Sequence, residues 1–384
     1  MPEAACLGAG IGFDGAMTAP DFAPIPAGLP ATVPFTGPET LARRSGVPIR
    51  ARLGANENGF GLLPSVRAAM QAALDDVWCY GDPDNFDLRA AIAARHGLRP
   101  EEVMPGEGID GLLGLTVRLF VAPGDAVVTS AGAYPTFNYH VAGFGGVLHA
   151  VPYRDDAEDP EALLARAHAV GAKMVYLANP DNPMANWLPR ERIEAMAAAL
   201  PDGCLLVLDE AYADFLPEAA LPRIGTDNPA VLRFRTFSKL FGMAGARVGY
   251  VTGAAEVIAG FDRIRNHFGL NRVAQAGALA ALADREGAAA MVATVARARD
   301  RLAGIARDNG LVPLPSATNF VTMDCGQGGD FARRVVAELL ARGVFIRMPG
   351  VAPMDRCIRV SCGPDAALDL FAEALPGALA AARG

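Results

Sequence analysis

The segment 235–247, with the sequence RTFSKLFGMAGAR, places a lysine between an apolar stretch and a glycine-rich turn. A lysine held near apolar surface and a second cation can have a pKa low enough to form Schiff bases with carbonyl compounds. Ser238 and Arg247, on either side of Lys239, offer a hydroxyl donor and a charge-assisted fork for a phosphate group. The alternative is a solvated lysine after a strand, because most lysines lie on protein surfaces.

A carboxylate ends the apolar stretch CLLVLD, residues 204–209. If this stretch is a buried strand, Asp209 lies at the ligand edge of a sheet and Tyr212 faces the same cavity. The alternative is that Asp209 caps the next element and that Tyr212 is half-buried in the core. For this pair alone, both interpretations stay open.

Further loops carry groups that suit ligand binding. The stretch PGEGID, 105–110, opens a helical pattern, and the free N–H groups of Gly108 and Ile109 at a helix N-terminus can bind phosphate. Asn182, after the stretch KMVYLA, can donate to a ligand oxygen, and Phe137 offers a flat face for stacking. The alternatives are an ordinary capped helix start, a plain Asn-Pro turn and simple core packing.

These groups need elements that hold them, and short apolar stretches alternate with helical patterns from about residue 60 onwards. Buried strands are predicted at 125–130, 173–178, 204–209, 231–237 and 247–253. Helices are predicted at 64–74, 110–120, 159–170 and 189–200. The alternation predicts an α/β fold with a mainly parallel sheet covered by helices, whose ligand lies beyond the carboxyl ends of the strands.

The pattern changes after Gly260. Long helices are predicted within 272–308, and the rest of the chain predicts strands at 319–324, 344–348 and 357–362 with helices at 331–343 and from Asp365 onwards. This mixture predicts a smaller α+β domain. We therefore divide the chain into an N-terminal arm at 1–45, a large domain at 46–265 and a small domain at 266–384.

Composition excludes several classes of function. The chain of 384 residues is 52% hydrophobic and has a formal net charge of −8, which disfavours binding to nucleic acid or to an anionic membrane. No apolar run reaches the roughly 18–20 residues of a membrane helix. The 6 cysteines are scattered without the spacing of a zinc site, which predicts reduced thiols in a cytoplasmic protein and no metal.

Taken together, the motifs resemble the fold-type I pyridoxal-phosphate aminotransferases of class I/II, because SKLFGMAGAR is similar to their lysine signature. The histidinol-phosphate aminotransferases are similar through GANENGFG at 54–61, YGDPD at 80–84, DEAY at 209–212, RTFSK at 235–239 and the final IR and IRVSCG segments. The resemblance covers about residues 50–365. It implies pyridoxal 5'-phosphate as cofactor, and amino transfer between an amino acid or amino alcohol phosphate and a 2-oxo acid such as 2-oxoglutarate.

The resemblance also implies roles around the cofactor ring. Lys239 would bind the cofactor as a Schiff base and then move protons as general acid and base. Asp209 would pair with the ring nitrogen. Tyr212 and Asn182 would hold the ring hydroxyl oxygen, and Phe137 would stack on the ring.

At the cofactor phosphate, the resemblance implies contacts from the N–H groups of Gly108 and Ile109 and from the side chains of Ser238 and Arg247. Tyr80 would reach the phosphate bound by the partner subunit, which implies a homodimer with shared active sites.

For the substrate, the resemblance implies that Arg359 binds the carboxylate, with Asn182 beside it, and that Arg347 binds a distal group. Antiparallel pairing of the strands at 344–348 and 357–362 would bring both guanidinium groups to one pocket. The alternative for Arg347 is a solvated arginine at a strand end.

The chain departs from the family pattern in three places. It has Asp181-Asn182-Pro183-Met184-Ala185 where the family usually has Asn-Asn-Pro-Thr-Gly. Its phosphate loop has Gly-Glu-Gly-Ile-Asp where Gly-Asn-Gly-Ser-Asp is common, so a side-chain hydroxyl is missing. No tyrosine precedes Tyr80, whereas histidinol-phosphate enzymes often place an N-terminal tyrosine over the substrate. These departures leave the substrate open.

Three alternative functions therefore accompany the leading one. The chain could be an aromatic or other amino-acid aminotransferase, or a pyridoxal-phosphate-dependent decarboxylase of a phospho-amino acid. A non-catalytic regulator that binds the cofactor would need a fused helix-turn-helix domain, for which residues 1–45 are too short and too rich in proline and glycine.

Overall fold

The computed structural model describes residues 20–31 and 35–384. The described residues form the strands β1 (Ala51–Arg52), β2 (Val103–Gly106), β3 (Ala126–Ser130), β4 (Val147–Val151), β5 (Met174–Ala178), β6 (Leu205–Asp209), β7 (Val231–Thr236), β8 (Gly249–Thr252), β9 (Val312–Pro313), β10 (Phe320–Asp324), β11 (Val344–Phe345) and β12 (Cys357–Ser361). Their helices are α1 (Pro24–Ala27), α2 (Pro38–Ser45), α3 (Pro64–Ala72), α4 (Phe86–His96), α5 (Gly108–Phe120), α6 (Pro135–Gly143), α7 (Pro160–Val170), α8 (Arg190–Ala198), α9 (Ala255–Ile258), α10 (Arg272–Ala283), α11 (Arg285–Asp308), α12 (Gly329–Ala341) and α13 (Asp365–Arg383).

A seven-stranded sheet in the order β2-β8-β7-β6-β5-β3-β4 forms the centre of the fold. Every neighbouring pair from β7 to β4 is parallel, and only β8 runs against its neighbours. Every residue of β5 and β6 is buried, as expected for strands with helices on both faces. The predicted α/β fold with a mainly parallel sheet is therefore confirmed, and all five predicted strands belong to this sheet.

Apolar side chains cover both faces of the sheet. On one face, the side chains of α5 and α6 pack against Met174, Tyr176 and Val207. On the other face, those of α7 and α8 pack against Val175 and Leu206. Because successive residues of a strand point to opposite faces, one apolar strand serves both layers. The sheet is thus fixed from both sides, and the carboxyl ends of its strands form a rigid edge.

The C-terminal part has its own antiparallel sheet, in the order β12-β10-β9, against which α11 and α12 pack. The short strand β1, which follows the predicted arm, pairs in parallel with β11. A segment from the predicted large domain thus adds a strand to the predicted small domain. The division at 46–265 and 266–384 stays a prediction, with β1 as a strand that crosses it. Residues 1–19 and 32–34 of the predicted arm at 1–45 lie outside the described residues.

Side-chain caps set the beginnings of three helices. Asp159 accepts a hydrogen bond from the N–H of Ala162 before α7, and Asn271 accepts one from Ala274 before α10. Asp284 divides the long helical region predicted at 272–308 into α10 and α11, because its side chain accepts from the N–H of Gly287.

None of the described helices is long and apolar enough to span a membrane.

Candidate active site

The carboxyl ends of β5, β6 and β7 open into a cavity of about 590 Å³. This is the edge at which open α/β sheets bind ligands. Of the residues that the sequence predicts for the site, those that line this cavity are Ile109, Asn182, Asp209, Tyr212, Ser238, Lys239, Arg247, Arg347 and Arg359. The structure thus brings together groups that are up to 250 residues apart in the sequence, from Ile109 to Arg359.

Lys239 lies directly after β7, where its ammonium group contacts few polar partners. Its Nζ donates to the carbonyl oxygen of Asn56 at 3.1 Å and lies 5.4 Å from the centre of the Tyr212 ring. Burial lowers the pKa of Lys239 to about 8, and the positive charge of Arg359 acts in the same direction. A substantial fraction of this amine is therefore neutral and nucleophilic near neutral pH.

The sequence contains only one other lysine, Lys173, directly before β5. Lys173 is exposed and lies at the amino end of its strand, the opposite edge of the sheet from the cavity. Lys239 is therefore the lysine that can react with a carbonyl group bound in the cavity.

Asp209 ends β6 and is 5% exposed. Its Oδ2 accepts from the hydroxyl of Tyr176 at 2.7 Å, and its Oδ1 accepts from the N–H of Ala211 at 2.9 Å. Burial raises the pKa of Asp209, while these hydrogen bonds and the charge of Lys239 oppose the rise. A cation placed beside this carboxylate would be strongly stabilised, because the surroundings are dry.

Asn56 organises the side of the cavity next to Tyr212, and the sequence analysis did not single it out. Its Nδ2 donates to the Tyr212 hydroxyl at 3.0 Å, and its backbone adopts a φ of 54°. The φ value is in the left-handed region, which asparagine tolerates better than most residues. Asn56 lies within the GANENGFG motif, so its position in that motif is the signal that could have identified it.

Arg359 lies on β12 and reaches the cavity from the C-terminal part. Its Nη1 donates to Oδ1 of Asn182, and its Nη2 donates to the carbonyl oxygen of Gly54 at 3.4 Å. Its Nε is buried without a hydrogen-bond partner. The two acceptors, the Asn182 side chain and the Gly54 carbonyl oxygen, carry no charge, so the Arg359 guanidinium is available to an anionic ligand.

Arg347 lies beside Arg359, as the predicted antiparallel pairing requires. The two residues exchange backbone hydrogen bonds of 3.2 and 2.7 Å. The Arg347 side chain donates to the carbonyl oxygen of Thr36 at 3.0 Å and lies 4.9 Å from the Phe35 ring centre. Arg347 is half-buried and forms no ion pair with any carboxylate in the described part of the chain, so the structure shows a partly covered arginine at the cavity rather than a fully solvated one at a strand end. Phe35 reaches the cavity from the N-terminal arm, and no sequence signal pointed to it.

Several donors meet where α5 begins. Gly108 has a φ of 78°, and a methyl group at this position would lie 2.7 Å from Nη2 of Arg247. Ser238 lines the same corner of the cavity together with Thr236, and the two hydroxyl groups are hydrogen-bonded at 2.9 Å. Thr236 is a site residue that the sequence analysis missed. A helix N-terminus, two hydroxyls and a guanidinium are groups that suit the binding of a phosphate.

The prediction that Phe137 stacks on a ligand is wrong in this structure. Its ring is fully buried and stacks on Tyr176 at a centroid distance of 4.6 Å, behind the cavity wall. The aromatic ring that lines the cavity at this position is Tyr134, directly before the first residue of α6. The difference arises because Phe137 lies on the inner face of the first helical turn, whereas Tyr134 precedes the helix.

We expect the two aromatic residues to respond differently to truncation. Phe137→Ala should lower the free energy of unfolding by about 3–5 kcal/mol, since it empties a core site. Tyr134→Ala should have a smaller effect on stability and should mainly weaken cofactor retention. Urea unfolding and cofactor dissociation measured on both variants check this. Equal cofactor loss in the two variants would contradict the assignment of Tyr134.

Tyr80 does not line the cavity of its own chain. Its side chain is 77% exposed and packs against Phe268 at a centroid distance of 4.7 Å. Among the residues that the structure describes, Tyr80 therefore has no contact with the site of its own chain, and its predicted contact with a partner's cofactor stays a prediction.

A reactive lysine, a buried carboxylate and a phosphate corner at the carboxyl edge of a parallel sheet define a pyridoxal-phosphate enzyme of fold type I. The residues present fit the cofactor, since an amine, a carboxylate and donors that suit a phosphate line one cavity of about 590 Å³. The family model "Aminotransferase class I and II" matches residues 49–375. The chain belongs to this family, and it is a pyridoxal-phosphate-dependent transaminase.

Relatives support this assignment over most of the chain. A histidinol-phosphate aminotransferase 1 of Dechloromonas aromatica is 35% identical over 88% of this chain and 93% of its own length. The crystal structure of a histidinol-phosphate aminotransferase from Sinorhizobium meliloti in complex with pyridoxal 5'-phosphate is 52% identical, with a TM-score of 0.91 over 94% of this chain and 98% of that chain. A mutant aspartate aminotransferase of Thermus thermophilus is 27% identical, with a TM-score of 0.77 over 93% of this chain and all of that chain.

Proposed function

We propose that this transaminase takes its amino group from a donor that carries a phosphate, such as histidinol phosphate, and passes it to a 2-oxo acid such as 2-oxoglutarate. The observation that carries the proposal is the pair Arg347 and Arg359, two neighbouring guanidinium groups in the cavity without a carboxylate partner among the described residues. Two such groups suit a ligand with two oxyanion contacts or one phosphate. The names of the relatives support the same substrate.

When bound, pyridoxal phosphate supplies an electron sink for breaking the bond between Cα and its hydrogen. We infer that Lys239 binds it covalently through Nζ and, once released, moves the proton taken from Cα as general acid and base. The pKa of about 8 suits this task, because the amine both gives up and accepts a proton near neutral pH. Asp209 holds the proton on the ring nitrogen, and Tyr176 keeps the Asp209 carboxylate in place.

The remaining cofactor contacts follow from the same cavity. We infer that the N–H groups at the start of α5 and the side chains of Ser238, Thr236 and Arg247 bind the phosphate. We infer that Tyr212 and Asn182 would donate to the ring hydroxyl oxygen and that Asn56, which donates to the Tyr212 hydroxyl, orients that group. Tyr134 replaces Phe137 as the ring that covers the cofactor.

The two arginines should separate by substrate. Arg359→Ala should weaken every amino-acid donor, because the substrate carboxylate loses its guanidinium partner. Arg347→Ala should selectively weaken donors that carry a phosphate or a second carboxylate by about 1.5–3 kcal/mol, the usual contribution of a hydrogen bond to a charged group. The measurement is kcat/KM for histidinol phosphate, glutamate and phenylalanine in both variants.

Arg356→Ala is the matched control, since Arg356 pairs with Asp156 and Asp324 away from the cavity and should affect all donors alike. An equal loss for the three donors in Arg347→Ala would show that Arg347 supports the fold, and would remove the main support for histidinol phosphate.

We also propose a homodimer in which Tyr80 reaches the partner's site. Its neighbourhood exposes an unusual number of large apolar side chains: Leu74, Val77, Trp78, Tyr80, Phe86 and Phe268. Such a patch of exposed apolar side chains is typical of a protein interface.

The five described cysteines are free thiols, which supports the predicted cytoplasmic location.

Mixing two inactive variants tests the shared site. Tyr80→Ala impairs the partner's site and Lys239→Ala impairs its own, so a heterodimer of the two has one site with both changes and one intact site. After subunit exchange, an equal mixture should regain about a quarter of wild-type activity, as random pairing of a two-fold dimer requires. No regain in a mixture shown to contain heterodimers would contradict the contribution of Tyr80 to the partner.

A further inference from the structure

Asp181 is a buried carboxylate behind the wall of the cavity. The next residue, Asn182, accepts a hydrogen bond from Arg359. Asp181 is 2% exposed and does not line the cavity, whereas Asn182 does. The Oδ1 of Asp181 accepts from the Tyr153 hydroxyl at 2.9 Å, and its Oδ2 accepts from the N–H of Met184 at 2.8 Å. These contacts hold both the carboxylate and the turn that carries Asn182.

Arg359 needs a counter-charge that its direct partners do not supply. Its hydrogen-bond acceptors are the neutral oxygens of Asn182 and Gly54. Burial lowers the pKa of Arg359 to about 10, and the negative charge of Asp181 is among the influences that oppose this shift. In turn, the positive charge of Arg359 opposes the rise in the pKa of Asp181 that burial causes. The two groups are therefore electrostatic partners without touching.

We propose that Asp181 is a positioning residue that acts through Arg359: its carboxylate is the built-in counter-charge of the guanidinium and limits how tightly the cavity binds a substrate anion. The proposal rests on the proposed role of Arg359 in binding the substrate carboxylate. A ping-pong transaminase must release one anionic product before the next substrate binds, so a moderated anion site suits the reaction.

The ionisation of Asp181 makes the proposal measurable. Burial raises the pKa of Asp181 to about 6, against the hydrogen bonds from Met184 and Tyr153. Above that pH the carboxylate is charged and weakens anion binding; below it, the carboxyl is neutral and this effect is lost. The titratable and charged groups that face Asp181 from the surrounding elements are Tyr153, Glu158, Tyr212 and Arg359.

Glu158 provides a matched control inside the same buried group. Its carboxyl accepts from the Ser130 hydroxyl at 2.6 Å and from the N–H of Ala178 at 3.0 Å. Burial, and after it the neighbouring charge of Asp181, raises the pKa of Glu158 well above its usual range. Neither of its hydrogen bonds leads to Asn182 or Arg359, so Glu158→Gln changes a buried carboxyl of the same cluster that does not contact the guanidinium.

The test measures the dissociation constant of succinate, an unreactive dicarboxylate, from the holoenzyme by calorimetry between pH 5 and pH 8. Asp181→Asn keeps the shape of the side chain and removes its charge. We expect Asp181→Asn to bind succinate roughly tenfold more tightly than the wild type at pH 8, the size of one charge acting across a partly buried site. The ratio of the two constants should approach one near pH 5, where Asp181 is neutral in the wild type. The titration of succinate itself cancels in this ratio.

Equal or weaker binding by Asp181→Asn at pH 8, or a ratio independent of pH, would overturn the proposal and leave Asp181 a purely structural residue. The ratio of the succinate dissociation constants of the wild type and Glu158→Gln should stay near one over the whole pH range of the test. Tyr153→Phe is the second variant should Asp181→Asn not fold. Removing the hydroxyl raises the pKa of Asp181, so the pH at which succinate binding tightens should move upwards. Undiminished succinate binding by Arg359→Lys would instead refute the proposed carboxylate site, whatever Asp181 does.

Discussion

Lys239→Ala should fold and bind pyridoxal phosphate without a covalent bond, but should lose essentially all transamination. The expectation follows from the cavity, where Nζ of Lys239 is the one lysine amine that the sequence can supply at the carboxyl edge of the sheet. The cofactor affinity of the variant should fall because the covalent bond is lost, but binding should persist because the phosphate corner and Asp209 are retained. Its stability should stay near that of the wild type.

Borohydride reduction followed by trypsin digestion checks the attachment. In the wild type, the reduced cofactor should block cleavage at Lys239 and label the peptide 236–247, between Arg235 and Arg247. Lys173→Ala is the matched control and should behave like the wild type. A cofactor label on the peptide that contains Lys173 would refute the assignment of Lys239.

Asp209→Ala should lower kcat by about 10²–10³-fold while KM changes much less, a loss comparable to that of one preorganised oxyanion donor. The reason is that the carboxylate stabilises the protonated ring nitrogen in a dry site, where a charge partner acts strongly. Asp209→Asn keeps the hydrogen bond from Ala211 and should show a similar loss, because the charge is the active property.

Tyr176→Phe separates the chemistry of Asp209 from its packing. The Tyr176 hydroxyl donates to Asp209 Oδ2, so its removal should reduce kcat by less than Asp209→Ala while the ring still stacks on Phe137. Stopped-flow measurement of the half-reaction reports the chemical step directly. Near wild-type turnover in Asp209→Ala would mean that the carboxylate is only structural.

The sequence allowed most of the sheet to be predicted, because its strands are continuous apolar stretches that end at chemically distinct residues. In a parallel sheet, the carboxyl ends of neighbouring strands lie at one edge. Asp209 at the end of β6 and Lys239 just after β7 could therefore be placed in one cavity from local patterns alone. The resemblance to the aminotransferases then named the cofactor, and the family match confirmed it.

The direction of an individual side chain could not be predicted in the same way. Phe137 and Tyr134 are both aromatic and lie three residues apart, and only the tertiary structure decides that Tyr134, before α6, faces the cavity while Phe137, inside α6, packs in the core. Asn56 and Phe35 come from segments without a periodic pattern. Their approach depends on β1 pairing with β11 and on the contact between Thr36 and Arg347.

By itself, the sequence determined the fold class, and it predicted the reactive lysine, the carboxylate Asp209 and the pairing of Arg347 with Arg359, because these depend on short-range patterns and on motif order. The tertiary structure alone decided which other groups lie in and behind the cavity: the Asn56 amide, the Phe35 ring from the arm, and the buried Asp181 behind Asn182. The physical reason is that electrostatic coupling depends on distance and burial in three dimensions, and neither is encoded in the spacing of residues along the chain.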